Sequence, residues 1–175
     1  MSKVLCFGDV HFSSINAWNY KAGEYFIDWF EHENFGNKDD IEMIFVGDIA
    51  ERDVNPGNVV DQMWRLFASA SSKAKAVYVV CGNHDKKLYH DIEQHSLKFL
   101  TNLPNVHVFE KETELVTENG YNVLVLPGKQ SLPKVLHFTI ITISCQKIIK
   151  TKLMISLLGT GTLRKQLVRL GHKMV

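Results

Sequence analysis

Three short apolar runs, Val4 to Phe7, Met43 to Val46 and Val77 to Cys81, are each followed at once by a polar cluster. Their β-branched and aromatic content predicts strands. The third run, which begins at Ala76, is apolar on nearly every residue, as a central strand covered on both faces would be. Between the first two lies Ala22 to Glu33, where Tyr25, Phe26, Trp29 and Phe30 recur at helical spacing and predict a helix packed into the core. Phe12 to Tyr20 reads as a polar connection before it. A second helix is predicted from about Asn58 to Ser72, with Val59, Val60, Met63, Leu66 and Phe67 inward and Asn58 as its cap. Strand, helix, strand, helix, strand implies right-handed crossovers and a parallel sheet.

Beyond the third cluster, His90 to Leu100 reads as a helix and Leu103-Pro104-Asn105 as a turn. Short strands are then expected at Val106 to Phe109, Glu114 to Thr117 and Asn122 to Leu126. Glu118-Asn119-Gly120 would be the hairpin turn between the last two. Their alternation suggests the start of a second, more antiparallel layer that ends at Pro127-Gly128. The fold class expected is α/β, with β-sheets flanked by helices.

A length of 175 residues suits one domain with a single core. No apolar stretch approaches the roughly eighteen residues of a membrane span, and Met1-Ser2-Lys3-Val4 has no signal-peptide layout, so the chain is expected to be soluble and cytoplasmic. Cys6, Cys81 and Cys145 are odd in number and far apart; Cys6 and Cys81 fall in predicted core strands and are expected as buried thiols. The formal net charge of +1 hides an asymmetry. Eight of the 20 Lys and Arg residues lie between Ser131 and Val175 with no Asp or Glu, which leaves twelve against 19 acidic residues in 1–130.

The polar clusters are Asp9-Val10-His11, Gly47-Asp48 and Gly82-Asn83-His84-Asp85. In an open α/β sheet ligands gather outside the carboxyl ends of the strands, so clusters far apart in sequence would share one site. Carboxylates, imidazoles and an amide are donors suited to divalent metals. Two such ions can clamp a phosphate, activate water and stabilise the leaving oxygen. Asp9 and His11, pointing together as alternate residues of an extended turn, would bind one ion. Asp48 would bridge and Asn83 would serve the second ion. His84 would act as proton or hydrogen-bond donor, with Asp85 holding its ring in one tautomer. Taken singly, each cluster has a plain reading as a capping Asp, a turn Gly-Asp and a surface Asn-His; taken jointly they do not.

In this order the clusters resemble the first three motifs of the calcineurin-like metallophosphoesterases. Within that superfamily residues 3–127 look most like the nuclease subunit of SbcD-type double-strand-break repair enzymes, particularly phage recombination endonuclease subunits. Leu103-Pro104-Asn105-Val106-His107-Val108-Phe109 and Leu126-Pro127 contribute to the likeness. The resemblance implies a metallophosphoesterase sandwich, two divalent ions with Mn first and Fe, Zn or Mg as alternatives, and DNA as substrate. It also implies an SbcC-type ATPase partner and a possible homodimer. The second motif departs from the usual Gly-Asp-x-x-Asp: Glu51 stands where the second Asp is expected, with Asp53 beyond it.

A complete member would need a downstream Gly-His and a Gly-His-x-His. Only Gly171-His172 has the dipeptide, and Lys173-Met174 follows it. Residues 1–130 therefore read as the N-terminal part of the domain, incomplete at its C-terminus, and 131–175 as a basic, acid-free tail outside the native fold. A reading-frame shift between about Gly128 and His137 would account for both features. Codons for Leu157 to Thr162 permit Ile-Gly-His-Trp-Asn two bases later, and those for Lys152 to Ile155 permit Thr-Tyr-Asp. The alternatives are a nucleic-acid-binding tail, a phosphatase or other phosphodiesterase of the superfamily, and a non-catalytic fragment.

Overall fold

The first two apolar runs pair as expected: β1 (Lys3–Gly8) lies parallel to β2 (Ile41–Val46), with Lys3 opposite Ile41 and Gly8 opposite Val46. A computed structural model describes residues 2–51, 57–85, 96–127, 140–145 and 153–156. In it β3 (Ala76–Val80) joins β2, also in parallel, so the carboxyl ends of all three strands lie at one edge. Helices α1 (Ala17–His32) and α2 (Gly57–Lys73) make the two crossovers.

α1 begins five residues before the sequence pattern suggests, because Asn16 caps it: its side chain accepts from the Asn19 N–H at 2.8 Å. The aromatic stripe is split between two faces. Phe30 is buried and Phe26 packs against the core, whereas Tyr25 is 72% exposed and Trp29 46%. Asn58 lies inside the first turn of α2 instead of capping it, and its side chain accepts from the Val59 N–H. Of the helix expected over His90 to Leu100, residues 90–95 lie outside the described residues; Lys98–Asn102 is a short 3-10 turn.

β4 (Val106–Phe109) belongs to the parallel sheet, beside β3, and not to an antiparallel layer. Its entry is pinned by Asn105, whose backbone carbonyl accepts from the Val77 N–H at 2.9 Å and whose side-chain amide donates to the Ser71 and Ala74 carbonyls. The order of this sheet is β1-β2-β3-β4. The antiparallel layer follows as β5 (Thr113–Val116), β6 (Tyr121–Leu126), β7 (Ile140–Cys145) and β8 (Leu153–Ser156), in that spatial order.

Two apolar layers enclose the parallel sheet. Met43, Phe45, Val77 and Val79 face Ile27, Phe30, Met63, Leu66 and Phe67 of the helices. Ile44, Val46, Ala76, Tyr78 and Val80 face Val123 and Val125 of β6. Every residue of β2 is therefore buried, including Glu42, whose carboxylate accepts from the Tyr78 and Thr117 hydroxyls and the Asn119 N–H at 3.2, 2.9 and 3.2 Å. Cys81 is buried as expected. Cys6 is exposed, because β1 is the outermost of the described strands of its sheet. No helix among the described residues is long and apolar enough to cross a membrane.

Candidate metal centre

The loops that leave β1 and β2 continue the parallel pairing beyond the strands. The His11 N–H donates to the Asp48 carbonyl at 3.0 Å, Phe12 N–H to Ile49 at 2.8 Å, and Glu51 N–H returns to Phe12 at 3.0 Å. This zipper brings the first two polar clusters side by side. The third arrives from β3: the His84 N–H donates to Asp48 Oδ1 at 3.0 Å. Gly82 is needed for that approach, since a Cβ there would run into the backbone nitrogen and carboxylate of Asp48.

Asp9, His11 and Asp48 all have left-handed backbones, with φ of 57°, 50° and 48°. A non-glycine residue held there costs on the order of 1–3 kcal/mol. The side chains of Asp9 and His11 do point together, Asp9 Oδ1 lying 3.3 Å from His11 Nε2. They do so through this left-handed turn and not by the alternation of an extended chain. The neighbouring Gly47, at φ 66°, takes the same conformation without a Cβ penalty.

Glu51 is the residue whose place the sequence left open. Its Oε2 lies 3.0 Å from His11 Nδ1 and its Oε1 lies 2.7 Å from His84 Nδ1, so one carboxylate ties the two imidazoles. The rings meet edge to face with centroids 5.0 Å apart. The available signal was its spacing, three residues after Asp48 on the loop leaving β2. Asp85, expected to hold the His84 ring, does something else. It is fully buried, and its two oxygens accept from the Ala50 and Gly82 N–H groups at 2.9 and 2.8 Å, stitching the β2 and β3 loops together. Burial pushes its carboxyl up to about 7, against the pull of those backbone donors. Asn83 is buried between Gly82 and His84, both of which contact Asp48.

Two sets of donors result, Asp9 with His11 and Asp48, and His11 with Glu51 and His84; within each set the ligand atoms lie within 4.8 Å of one another. A hydrogen bond to Asp9, reinforced by the charges of Asp48 and Glu51, lifts His11 to about 9, while the Asp9 carboxyl is lowered chiefly by that same bond. The field that holds a proton on His11 is one that favours a cation, and the carboxylate and imidazole donors fit a divalent metal.

Residues 2–170 match the calcineurin-like phosphoesterase family. The chain belongs to that family. Among curated proteins it has no match. As a metallophosphoesterase it is a hydrolase of phosphate esters by family, and its α/β sheets with flanking helices agree with the fold. The family match extends over most of 131–175, and β7 and β8 of that region pair within the second sheet.

Proposed function

We propose that this metallophosphoesterase is a DNA-cleaving enzyme, the nuclease subunit of an SbcD-type repair or recombination machine working in the cytoplasm, as in phage recombination. The observation that carries the phosphoesterase chemistry is the gathering of Asp9, His11, Asp48, Glu51 and His84 at the carboxyl ends of β1, β2 and β3. The motif order and the likeness of residues 3–127 carry the choice of DNA. Asp9, His11 and Asp48 would hold one ion and Asp48 with Asn83 the second. When bound, divalent ions, Mn first among them, supply Lewis acidity toward the phosphate and its leaving oxygen.

The chain's own residues supply positioning and a proton. Glu51 fixes the His84 ring through Nδ1, which leaves Nε2 as the nitrogen that would face the leaving oxygen. Asp85 acts indirectly, by holding the loop on which His84 stands. An SbcC-type ATPase and a second copy of the chain are the partners proposed.

Purified protein with Mn should cleave DNA in preference to a small chromogenic phosphodiester, and His84→Ala should lower the rate by roughly 10²–10⁴. Cleavage of the chromogenic ester alone would point to another phosphodiesterase of the superfamily. A second reading rests on the missing Gly-His-x-His and the acid-free composition of 131–175: the tail is out of frame and the chain a non-catalytic remnant. The nucleotide sequence tests it, since a gene free of single-base insertions or deletions relative to close relatives would refute the frame shift.

A further inference from the structure

A recess of about 420 Å³ opens directly beside the metal-type residues, between the β1 loop and α1. It is lined by the charged or polar Asp9, His11 and Glu51, by the apolar Phe7, Val10 and Phe26, and by Asn19 from the first turn of α1. That volume lies in the range of about 300–1,000 Å³ that accommodates small organic ligands, and exceeds what a phosphate group alone requires. The apolar residues and the carboxylates both disfavour a second anionic group. A flat, neutral group with a polar edge, joined to the phosphate, suits both kinds of lining.

The geometry points to a nucleobase subsite: the base of a nucleotide whose phosphate meets the ion that Asp9 and His11 would hold would lie against Phe26, with Asn19 hydrogen-bonding its edge. An amide offers one donor and one acceptor, the pair that base edges take from Asn and Gln. The Asn19 side chain hydrogen-bonds to none of the other described residues, so it can turn to a ligand without giving up a bond to any of them. An aromatic wall adds sequence-tolerant stacking, typically about 1–3 kcal/mol per base. This subsite rests on the phosphoesterase reading above and adds to its phosphate site a place for the base, with Asn19 and Phe26 as the residues that meet it.

Calorimetry of the Mn-loaded full chain tests it by comparing adenosine 5′-monophosphate with ribose 5-phosphate. The nucleotide should bind at least tenfold more tightly. In Asn19→Ala the gap should narrow several-fold. In Ala22→Trp, which builds an indole into the recess from an exposed helix position, it should close to below threefold; circular dichroism and Mn titration of each variant report that the fold and the ion site survive. Equal binding of the two ligands by the unaltered protein, or a gap that persists in both variants, overturns the subsite alone. If Mn binds and neither phosphate ester does, the phosphoesterase reading falls and takes the subsite with it.

Discussion

His11 sits between two carboxylates, one on each ring nitrogen, and this decides how the site responds to pH. Its pKa is raised from 6.5 to about 9, so at neutral pH the metal-free ring is charged and an incoming cation must displace the proton. Mn titrations at pH 7 in buffers of different ionisation enthalpy should therefore report proton release, with apparent affinity rising up to about pH 9 and levelling above it. Binding with no proton exchange would show that His11 is not a ligand. The sign for stability is opposite: a raised pKa stabilises the metal-free fold below 6.5 and loses that contribution as pH rises through 9, so its thermal midpoint should fall across that interval. Gly82 is the second sensitive residue. Gly82→Ala should force Asp48 aside, weakening Mn binding at least tenfold and destabilising the fold by about 1–3 kcal/mol in urea titrations. Ordinary affinity in that variant would mean the loop yields without moving Asp48. Metal-ligand candidates were legible as residue types following strands; the roles of Glu51 and Asp85 were not, because which carboxylate faces an imidazole depends on loop conformation and not on proximity in sequence.

At the level of elements, α1 shows how a pattern of aromatic residues can be read for existence and misread for orientation. Phe26 and Phe30 turn inward with Ile27, and Tyr25 and Trp29 turn outward, although all four aromatics sit within two turns. Phe45 contacts both Phe7 and Phe30, which sets the inward face. α1 is then held to α2 by polar contacts: Arg65 spans Glu24 and Glu31, buried Gln62 donates to the Tyr20 carbonyl at 3.0 Å, and Lys73 donates to the Phe30, Glu31 and Glu33 carbonyls. Lys73 thus meets the negative end of the α1 dipole. At the other end Asn16 satisfies an N–H in the first turn, and Asn16→Ala should cost about 1 kcal/mol in urea unfolding with no change in Mn affinity. A cost below 0.3 kcal/mol would mean that packing alone determines where α1 begins. That cap was legible in principle; the polar run around it disguised it as a connection.

For the whole molecule, the joint between the two sheets is the feature on which the β-strand pattern was silent. Val123 and Val125 close the second face of β2 and β3, and Glu42 stands within that layer with three donors around its carboxylate. Removing it would leave the Tyr78 and Thr117 hydroxyls buried without this partner, so Glu42→Ala should destabilise by about 1–3 kcal/mol while Glu42→Gln costs less. Equal costs would show that volume and not hydrogen bonding maintains the joint. The site lies across the strand ends of the parallel sheet; backbone bonds tie the loop leaving β1 to the loop leaving β2, and the Asp48 and Asp85 carboxylates tie the latter to the loop leaving β3. Sheet order therefore determines site geometry, and β4 beside β3 completes that order: the Cys81 N–H, just before the third cluster, donates to the Phe109 carbonyl at 3.0 Å.

By itself the chain's pattern of apolar runs and polar clusters determined the strands β1, β2 and β3, their parallel core and the residue types that gather at its edge, because burial on both faces and the chemistry of metal donors leave few alternatives at such positions. Tertiary structure alone decided that β4 extends the parallel sheet, that Cys6 is exposed at an edge, and that Glu51 and not Asp85 meets His84. Each of those outcomes is set by which backbone or side-chain groups a distant segment meets, a relation between parts of the chain that no local pattern encodes.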